Sequence, residues 1–143
     1  MQVLVADDDA TYRGLLYDLL TKWHFEVVLA VDGQEALERM QADEPPRIAL
    51  LDWEMPGMDG FQVARTIRAT VGGGRAYVLM VTGSRRKNDL MQVLVCGADD
   101  YLIKPFDPMD LQIRMRTAMR IVNLQTEVED LKARLGSGTA ASR

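Results

Sequence analysis

Five short apolar runs, separated by segments with helical spacing, constrain the fold of this chain more than any other feature. The runs are VLVA at 3–6, FEVVLA at 25–30, RIALL at 47–51, YVLMV at 77–81 and DYLI at 100–103. Each run has the length of a strand, and several are apolar throughout instead of alternating. Uninterrupted apolar strands are typical of a parallel sheet that is covered on both faces.

The segments between the runs carry apolar residues at spacings of three and four. The first of five such stripes consists of Leu15, Leu16, Leu19, Leu20 and Trp23. An acidic N-cap with a polar partner three positions later marks three helix starts: Asp32 with Glu35, Asp59 with Gln62, and Asp107 with Asp110. Strand and helix therefore alternate five times, which predicts an α/β sandwich with a parallel sheet and right-handed crossovers.

Ligands of such a sheet bind outside the carboxyl ends of its strands. Polar side chains follow four of the predicted strands: Asp7, Asp8 and Asp9, then Asp52, then Thr82 and Ser84 on either side of Gly83, then Lys104. Clustered carboxylates repel one another, and a hard divalent cation such as Mg²⁺ relieves the repulsion. An aspartate beside Mg²⁺ can attack a phosphoryl group, whose charge a lysine, a metal ion and a hydroxyl group would stabilise.

Composition narrows the class of protein. The chain has 143 residues, of which 48% are hydrophobic and 27% charged, as expected for one soluble domain. A net charge of −4 gives no indication of nucleic-acid binding. The single cysteine, Cys96, is interpreted as a packing residue and suits a reducing cytoplasm. No apolar run reaches the length of a membrane span, and the N-terminus lacks the features of a secretory signal.

Four motifs occur in a fixed order: VLVADDD at 3–9, LDWEMPGMDGF at 51–61, VTGS at 81–84 and DDYLIKPF at 99–106. Each is weakly specific by itself, but together they make this chain resemble the receiver domain of two-component response regulators. The resemblance implies a flavodoxin-like, doubly wound five-stranded parallel sheet of order 2-1-3-4-5 with five helices. It also implies Mg²⁺ as the cofactor and phosphorylation by a sensor histidine kinase or a phosphotransfer protein.

The resemblance further implies the roles of four acidic residues. Asp52 would accept the phosphoryl group and would also contact the metal ion. Asp8 would be the more direct of the other metal ligands, with Asp7 acting partly through water, and the backbone carbonyl of Glu54 would be a third contact. The Glu54 side chain departs from the commonest family pattern, because it places another carboxylate at the mouth of the site, where it bears on the lifetime of the phosphate.

Three further residues receive roles in the same way. Thr82 would bond a phosphoryl oxygen, and Lys104 would pair with it. Tyr101 would be an aromatic switch that turns inward when Thr82 moves toward the phosphate. The Lys104–Pro105 bond would be cis, which X-Pro bonds permit at modest cost. Gly83 stands where the family usually has alanine, which predicts a freer loop after Thr82.

The helical pattern that starts at Pro108 continues to Leu135 without glycine or proline. Its last part repeats apolar residues at spacings of three and four, as in a short coiled coil: Ile121, Leu124, Val128, Leu131 and Leu135. We therefore divide the chain into a receiver domain at 1–121, a coiled-coil-like extension of the last helix at 122–135, and a flexible linker or cloning remnant at 136–143.

An exposed stripe of this kind predicts a parallel homodimer through 121–135, with a frayed monomeric tail as the alternative. The resemblance makes the face formed by helix 4, strand 5 and helix 5 a second surface for output or dimerisation. Some of the apolar residues of helix 4 should be exposed there, with additional core packing as the alternative: Leu90, Met91, Val93, Leu94 and Val95. Receivers with such extensions are often the front half of larger regulators, so a C-terminal output domain such as a diguanylate cyclase is a further expectation.

The sequence is compatible with three functions. The first is a signalling domain that catalyses only its own phosphorylation and slow dephosphorylation and is therefore not a turnover enzyme. The second is an aspartate-nucleophile phosphatase, which Asp52 disfavours because it follows the third strand and not the first. The third is a dimerisation module with an idle site.

Three other features are given structural interpretations. Asp9 is interpreted as an N-cap, His24 as a solvated residue at a helix end, and the GGGR run at 72–75 as a flexible connection.

Overall fold

The computed structural model describes residues 1–70 and 75–141, with side chains up to residue 136. Five strands and five helices alternate in this part of the chain: β1 (Gln2–Ala6), α1 (Ala10–Lys22), β2 (Glu26–Ala30), α2 (Gly33–Met40), β3 (Ile48–Asp52), α3 (Gly60–Ala69), β4 (Tyr77–Thr82), α4 (Lys87–Val95), β5 (Asp100–Ile103) and α5 (Pro108–Ala141). The strands form one sheet of order β2-β1-β3-β4-β5, and all neighbours are parallel. The predicted fold is confirmed. The GGGR run, which we interpret as a flexible connection, lies for the most part outside the described residues.

Each predicted apolar run coincides with a strand to within one residue at either end. Every residue of β3 and β4 is buried, because these strands lie inside the sheet and helices cover both of its faces. The edge strand β2 is buried only at Ala30. Uninterrupted apolar character therefore identifies the central strands most clearly.

Two layers of helices build the core. Helices α1 and α5 cover one face of the sheet with side chains that include Leu16, Leu20, Leu111 and Met115. Helices α2, α3 and α4 cover the other face, where Cys96 is a buried packing residue. Leu15 is 40% exposed, so it lies outside the buried part of the stripe to which the sequence assigned it.

Side chains fix the helix ends as the sequence predicts. The three expected N-cap bonds are present, from Glu35 N–H to Asp32, from Gln62 N–H to Asp59, and from Asp110 N–H to Asp107. Asp9 caps α1, because its carboxylate accepts a 2.8 Å hydrogen bond from the backbone N–H of Thr11. His24 is exposed after the end of α1 and has a φ of 70°.

Helix α5 has 34 residues, a length of roughly 50 Å. It continues to Ala141, six residues beyond Leu135, where the predicted helical pattern ends. Its first four turns pack on the sheet through buried residues up to Val122. The residues of the predicted coiled-coil stripe are all exposed, at 36% for Ile121, 51% for Leu124, 49% for Val128, 56% for Leu131 and 70% for Leu135.

Two arginines at the amino-terminal edge of the sheet hold the extension of α5 against the domain. Arg75 precedes β4 and binds both carboxylate oxygens of Glu129 at 2.8 Å. Arg47 precedes β3 and donates to Thr126 at 3.3 Å and to Gln125 at 3.4 Å, with Glu129 at 3.6 Å. We call these contacts the arginine clasp, and they fix the direction in which α5 leaves the sheet.

Among the described residues, no helix combines the length and the apolar character that crossing a membrane requires.

Candidate functional site

The carboxyl ends of four strands bring the predicted site residues together in one crevice. Asp52 is the last residue of β3 and Thr82 the last of β4, while Asp7 and Lys104 directly follow β1 and β5. The strand register places these ends side by side, with Ala6 opposite Leu51, Asp52 opposite Val81, and Thr82 opposite Ile103. The parallel topology therefore assembles the crevice.

Three carboxylates form an acidic cluster in the crevice. One oxygen from each of Asp7, Asp8 and Asp52 lies within 4.8 Å of the other two. Asp7 is 1% exposed and Asp52 7% exposed, whereas Asp8 faces solvent. Carboxylate oxygens at this separation, two of them on buried residues, suit a hard divalent cation. The donor set fits one such ion.

Lys104 supplies a positive charge beside the cluster. Its ammonium nitrogen lies 2.9 Å from Asp7 Oδ2 and 3.4 Å from Asp52 Oδ1. The same nitrogen lies 4.2 Å from the centre of the Tyr12 ring. One ammonium cannot neutralise three carboxylates, so the crevice keeps an excess of negative charge when all of them are ionised.

Burial and the neighbouring charges shift the pKa values of Asp52 and Lys104. Burial, followed by the negative charge of Asp7, raises the pKa of Asp52 from 3.8 to about 7, although Lys104 opposes the shift. Burial alone would lower the pKa of Lys104, but its hydrogen bond to Asp7 and the charge of Asp52 outweigh burial and raise that pKa. Lys104 therefore stays charged, while Asp52 is partly protonated near neutral pH before a cation binds.

The loop after β4 contributes a hydroxyl group. Thr82 is buried, and its Oγ1 accepts a 3.0 Å hydrogen bond from the backbone N–H of Ser84. The Ser84 hydroxyl donates to Asp89 in the first turn of α4 at 2.6 Å. Gly83 lines the crevice, and a methyl group added to it would meet no atom within 4 Å. The Ser84–Asp89 bond, which the sequence did not predict, ties the Thr82 loop to α4.

Two other predicted residues lie at the periphery of the site. Glu54 is exposed and lines the crevice, but a metal contact through its backbone carbonyl stays a prediction. Tyr101 is half-buried and packs against the core on the side of α2, α3 and α4, and its proposed switch movement stays a prediction as well. The Lys104–Pro105 peptide bond is cis, as expected.

Sequence reasoning missed two residues on α1. Tyr12 lines the crevice and pairs with Phe106, their ring centres 6.1 Å apart. Arg13 donates a 2.8 Å hydrogen bond to the backbone carbonyl of Asp7, which fixes the start of the acidic run. The only sequence signal is their position, three and four residues after the N-cap Asp9, because the first turn of α1 begins at the edge of the crevice.

Known proteins share this arrangement of elements. The sequence model of the response regulator receiver domain family matches residues 3–116. Response regulator MprA of Mycobacterium avium is 37% identical over 131 residues, which are 92% of this chain and 56% of that protein. The chain spans about half the length of the curated relatives it matches.

Solved structures of response regulators resemble this chain in fold. The CheY-like receiver domain protein of Methanospirillum hungatei superimposes with a TM-score of 0.76 at 26% identity, covering 88% of this chain and 97% of that one. A "probable two-component system response regulator/GGDEF domain protein" gives a TM-score of 0.80 at 28% identity, covering 86% of this chain and 50% of that one. The likeness therefore extends over the sheet and its helices.

Proposed function

The chain belongs to the response regulator receiver domain family, and on this basis we propose that Asp52 accepts a phosphoryl group from a sensor histidine kinase or a phosphotransfer protein. The observation that carries the proposal is the convergence of oxygens from Asp7, Asp8 and Asp52 within 4.8 Å, with the Lys104 ammonium 3.4 Å from Asp52. The protein would act in the cytoplasm, where such kinases present their phosphorylated histidines.

Mg²⁺ is the proposed cofactor. Asp7, Asp8 and Asp52 would hold it, together with the backbone carbonyl of Glu54. When bound, the ion favours the ionised form of Asp52 and offsets the negative charge of the incoming phosphoryl oxygens. A raised pKa of Asp52, caused by burial and by Asp7, supports this need for a cation, because the nucleophile must be ionised.

Transfer proceeds by attack of an Asp52 carboxylate oxygen on phosphorus. A P–O bond to Asp52 forms while the P–N bond of the donor phosphohistidine breaks, and the imidazole nitrogen leaves with the electron pair and takes up a proton. Lys104 holds a positive charge where the phosphoryl oxygens arrive, and the Thr82 hydroxyl donates to one of them. Lys104 already lies 3.4 Å from Asp52 before a donor binds, whereas the Thr82 loop would move toward the phosphoryl group.

The domain would return to its resting state by hydrolysis of the aspartyl phosphate. Water then attacks phosphorus, the P–O bond to Asp52 breaks, and inorganic phosphate leaves. Glu54 lies on the rim, where its carboxylate orients this water or repels the phosphoryl group. Because the phosphorylated side chain is the proposed signalling form and its hydrolysis is slow, the domain would not be a turnover enzyme.

Phosphorylation would be read out on the face formed by α4, β5 and α5. Thr82 is connected to α4 through Ser84 and Asp89, so a movement of the Thr82 loop toward a phosphoryl group pulls on the start of that helix. Met91, Leu94 and Val95 of α4 are 55%, 64% and 85% exposed, which supports a role of this helix in contacts. Tyr101 would turn inward in the same transition.

The extension of α5 would form a parallel coiled coil with a second copy. Its stripe from Ile121 to Leu135 is exposed on every turn, and one copy alone leaves that surface unburied. Since the matched relatives are about twice as long as this chain, the coiled coil would lead to a C-terminal output domain in a longer protein. A GGDEF domain is one candidate, because one structural neighbour is named for it.

Incubation with acetyl phosphate and Mg²⁺ tests the proposal, with intact mass as the readout for wild type and Asp52→Asn. A gain of one phosphoryl group is expected in the wild type only, and only with Mg²⁺ present. Light scattering on the same samples should show an increase in dimer upon phosphorylation. An equal gain in Asp52→Asn would remove that residue from its role, and turnover of a generic phosphomonoester would favour a phosphatase instead.

A further inference from the structure

The Lys104 ammonium has three close partners. Its nitrogen lies 2.9 Å from Asp7 Oδ2, 3.4 Å from Asp52 Oδ1 and 4.2 Å from the centre of the Tyr12 ring, over which it is placed. An ammonium group has three N–H donors, and the negative face of an aromatic ring attracts such a cation. The Lys104 side chain is only 14% exposed.

Tyr12 is itself held in place. It lies in the first turn of α1, where its backbone N–H donates to the N-cap Asp9 at 3.5 Å, and the centre of its ring lies 6.1 Å from that of Phe106. Phe106 packs against the core between α1, α5 and the sheet. The ring therefore contacts Phe106, and its face lies against the Lys104 ammonium in the crevice that also holds Asp52.

A phosphoryl group on Asp52 would change the partners of Lys104. Phosphoryl oxygens would replace Asp52 Oδ1 as an acceptor, while Asp7 would also be drawn to the metal ion. The Tyr12 ring is the one contact of the three that carries neither metal nor phosphoryl group. It can therefore keep the ammonium in place throughout the transfer.

We propose that Tyr12 is a positioning residue for phosphoryl transfer, in which its ring face holds the Lys104 ammonium where the phosphoryl oxygens of Asp52 arrive. This inference rests on the proposed function. It differs from a purely structural role, in which the ring would only fill space between α1 and Phe106. A leucine would fill much of that space but has no negative face, whereas a phenylalanine keeps the face and lacks the hydroxyl.

The experiment compares wild type with Tyr12→Phe and Tyr12→Leu. The rate of phosphorylation by acetyl phosphate is measured at saturating Mg²⁺, and the Mg²⁺ affinity is measured separately. Acetyl phosphate excludes any effect on docking of a kinase. Tyr12→Leu should lose about fivefold in rate, equivalent to about 1 kcal/mol, with Mg²⁺ affinity unchanged, and Tyr12→Phe should match the wild type.

Proton NMR supplies a readout that does not depend on phosphorylation. The ring should shift the Lys104 ε-methylene protons upfield in wild type and Tyr12→Phe, and this shift should disappear in Tyr12→Leu. Equal rates in wild type and Tyr12→Leu, or an unchanged shift, would overturn the positioning role alone. No phosphoryl gain in wild type would overturn the proposed function, and this role with it.

Discussion

At the carboxyl-terminal edge of the sheet three carboxylates meet one ammonium group, whereas at the amino-terminal edge two guanidinium groups meet one carboxylate. The crevice is largely buried, and burial together with Asp7 raises the pKa of Asp52 to about 7. In the arginine clasp the Arg75 and Glu129 side chains are 55% and 35% exposed and form two 2.8 Å bonds. The crevice is buried and has an excess of negative charge. In the clasp, Arg75 and Glu129 form a close, partly exposed pair, and Arg47 adds a second positive charge at 3.6 Å.

The difference distinguishes a site that can react from contacts that only hold the structure together. Buried charge without enough partners is costly, so a cation or a phosphoryl group that relieves it interacts strongly with the protein. Exposed, paired charge contributes little energy and mainly fixes geometry. The crevice is therefore expected to respond to pH and to divalent cations, and the clasp to respond weakly to salt.

The largest expected effect concerns the Asp52 carboxyl group in metal-free protein. Its folded-state pKa of about 7 lies above the ordinary 3.8, so the folded state binds this proton more tightly than the unfolded state does. Ionisation between pH 4 and 7 therefore destabilises the folded wild type. The free energy of unfolding of Asp52→Asn minus that of wild type should rise by about 4 kcal/mol from pH 4 to pH 8.

Urea denaturation in the presence of a chelator measures this difference. Replacing the chelator with Mg²⁺ at pH 8 should narrow the gap, because the wild type keeps all three carboxylates and gains binding energy from the ion. A difference in unfolding free energy that does not change with pH would show that ionisation of Asp52 does not destabilise the crevice.

The next effect tests how tightly the backbone is packed behind Asp52. A methyl group on Gly60, the first residue of α3, would overlap the backbone carbonyl oxygen of Asp52 and come within 2.9 Å of Met80 Sδ. Gly60→Ala should therefore destabilise the protein by about 2 kcal/mol. Gly14→Ala is the matched control, because no atom lies within 4 Å and the site is helical, so it should stabilise instead. Equal stabilities of the two variants would contradict the close approach.

At the opposite edge, Glu129→Gln should weaken the arginine clasp. The expected loss is about 1 kcal/mol, because the pair is bidentate but partly exposed, and it should shrink in 1 M NaCl. Glu127→Gln, an exposed position two residues earlier on α5, is the control and should have a smaller effect. Chemical denaturation at low and high salt provides the comparison, and a salt-independent loss would exclude an electrostatic clasp.

The smallest effect is expected at Gly83. An added methyl group meets no atom within 4 Å, and the residue does not have a left-handed φ. Gly83→Ala should stabilise the protein by about 0.5 kcal/mol, because it restricts the unfolded chain. A loss of stability in thermal denaturation would show that the loop after Thr82 needs glycine.

Most of the fold could be predicted from the sequence, because buried parallel strands are apolar throughout and are easily recognised. The strands β3 and β4 illustrate this, since every one of their residues is buried. Leu15 shows the limit, because periodicity locates a stripe but not which of its members reaches the solvent. The end of α5 at Ala141 was also missed, since glycine and serine after Leu135 predict an end that the structure does not have there.

The site could be predicted where it depends on strand ends. Asp7, Asp52, Thr82 and Lys104 each stand at the end of a strand, and topology alone gathers them. The contact of Lys104 with the Tyr12 ring depends on the rotation of α1 relative to β5, which no local pattern specifies. No local pattern specifies the arginine clasp either, because its residues are far apart in the sequence. Arg75 and Glu129, for example, are separated by 54 positions.

Titration of Mg²⁺ by calorimetry tests the central claim most directly, namely that the acidic cluster is a single cation site. Wild type should bind one ion per chain at pH 7.5, and Asp8→Asn should bind about tenfold more weakly or worse, a loss of about 1.4 kcal/mol. Asp9→Asn should bind like the wild type, because asparagine keeps the N-cap of α1 and Asp9 is outside the cluster. Absence of binding by the wild type, or equal binding by Asp8→Asn, would contradict the account.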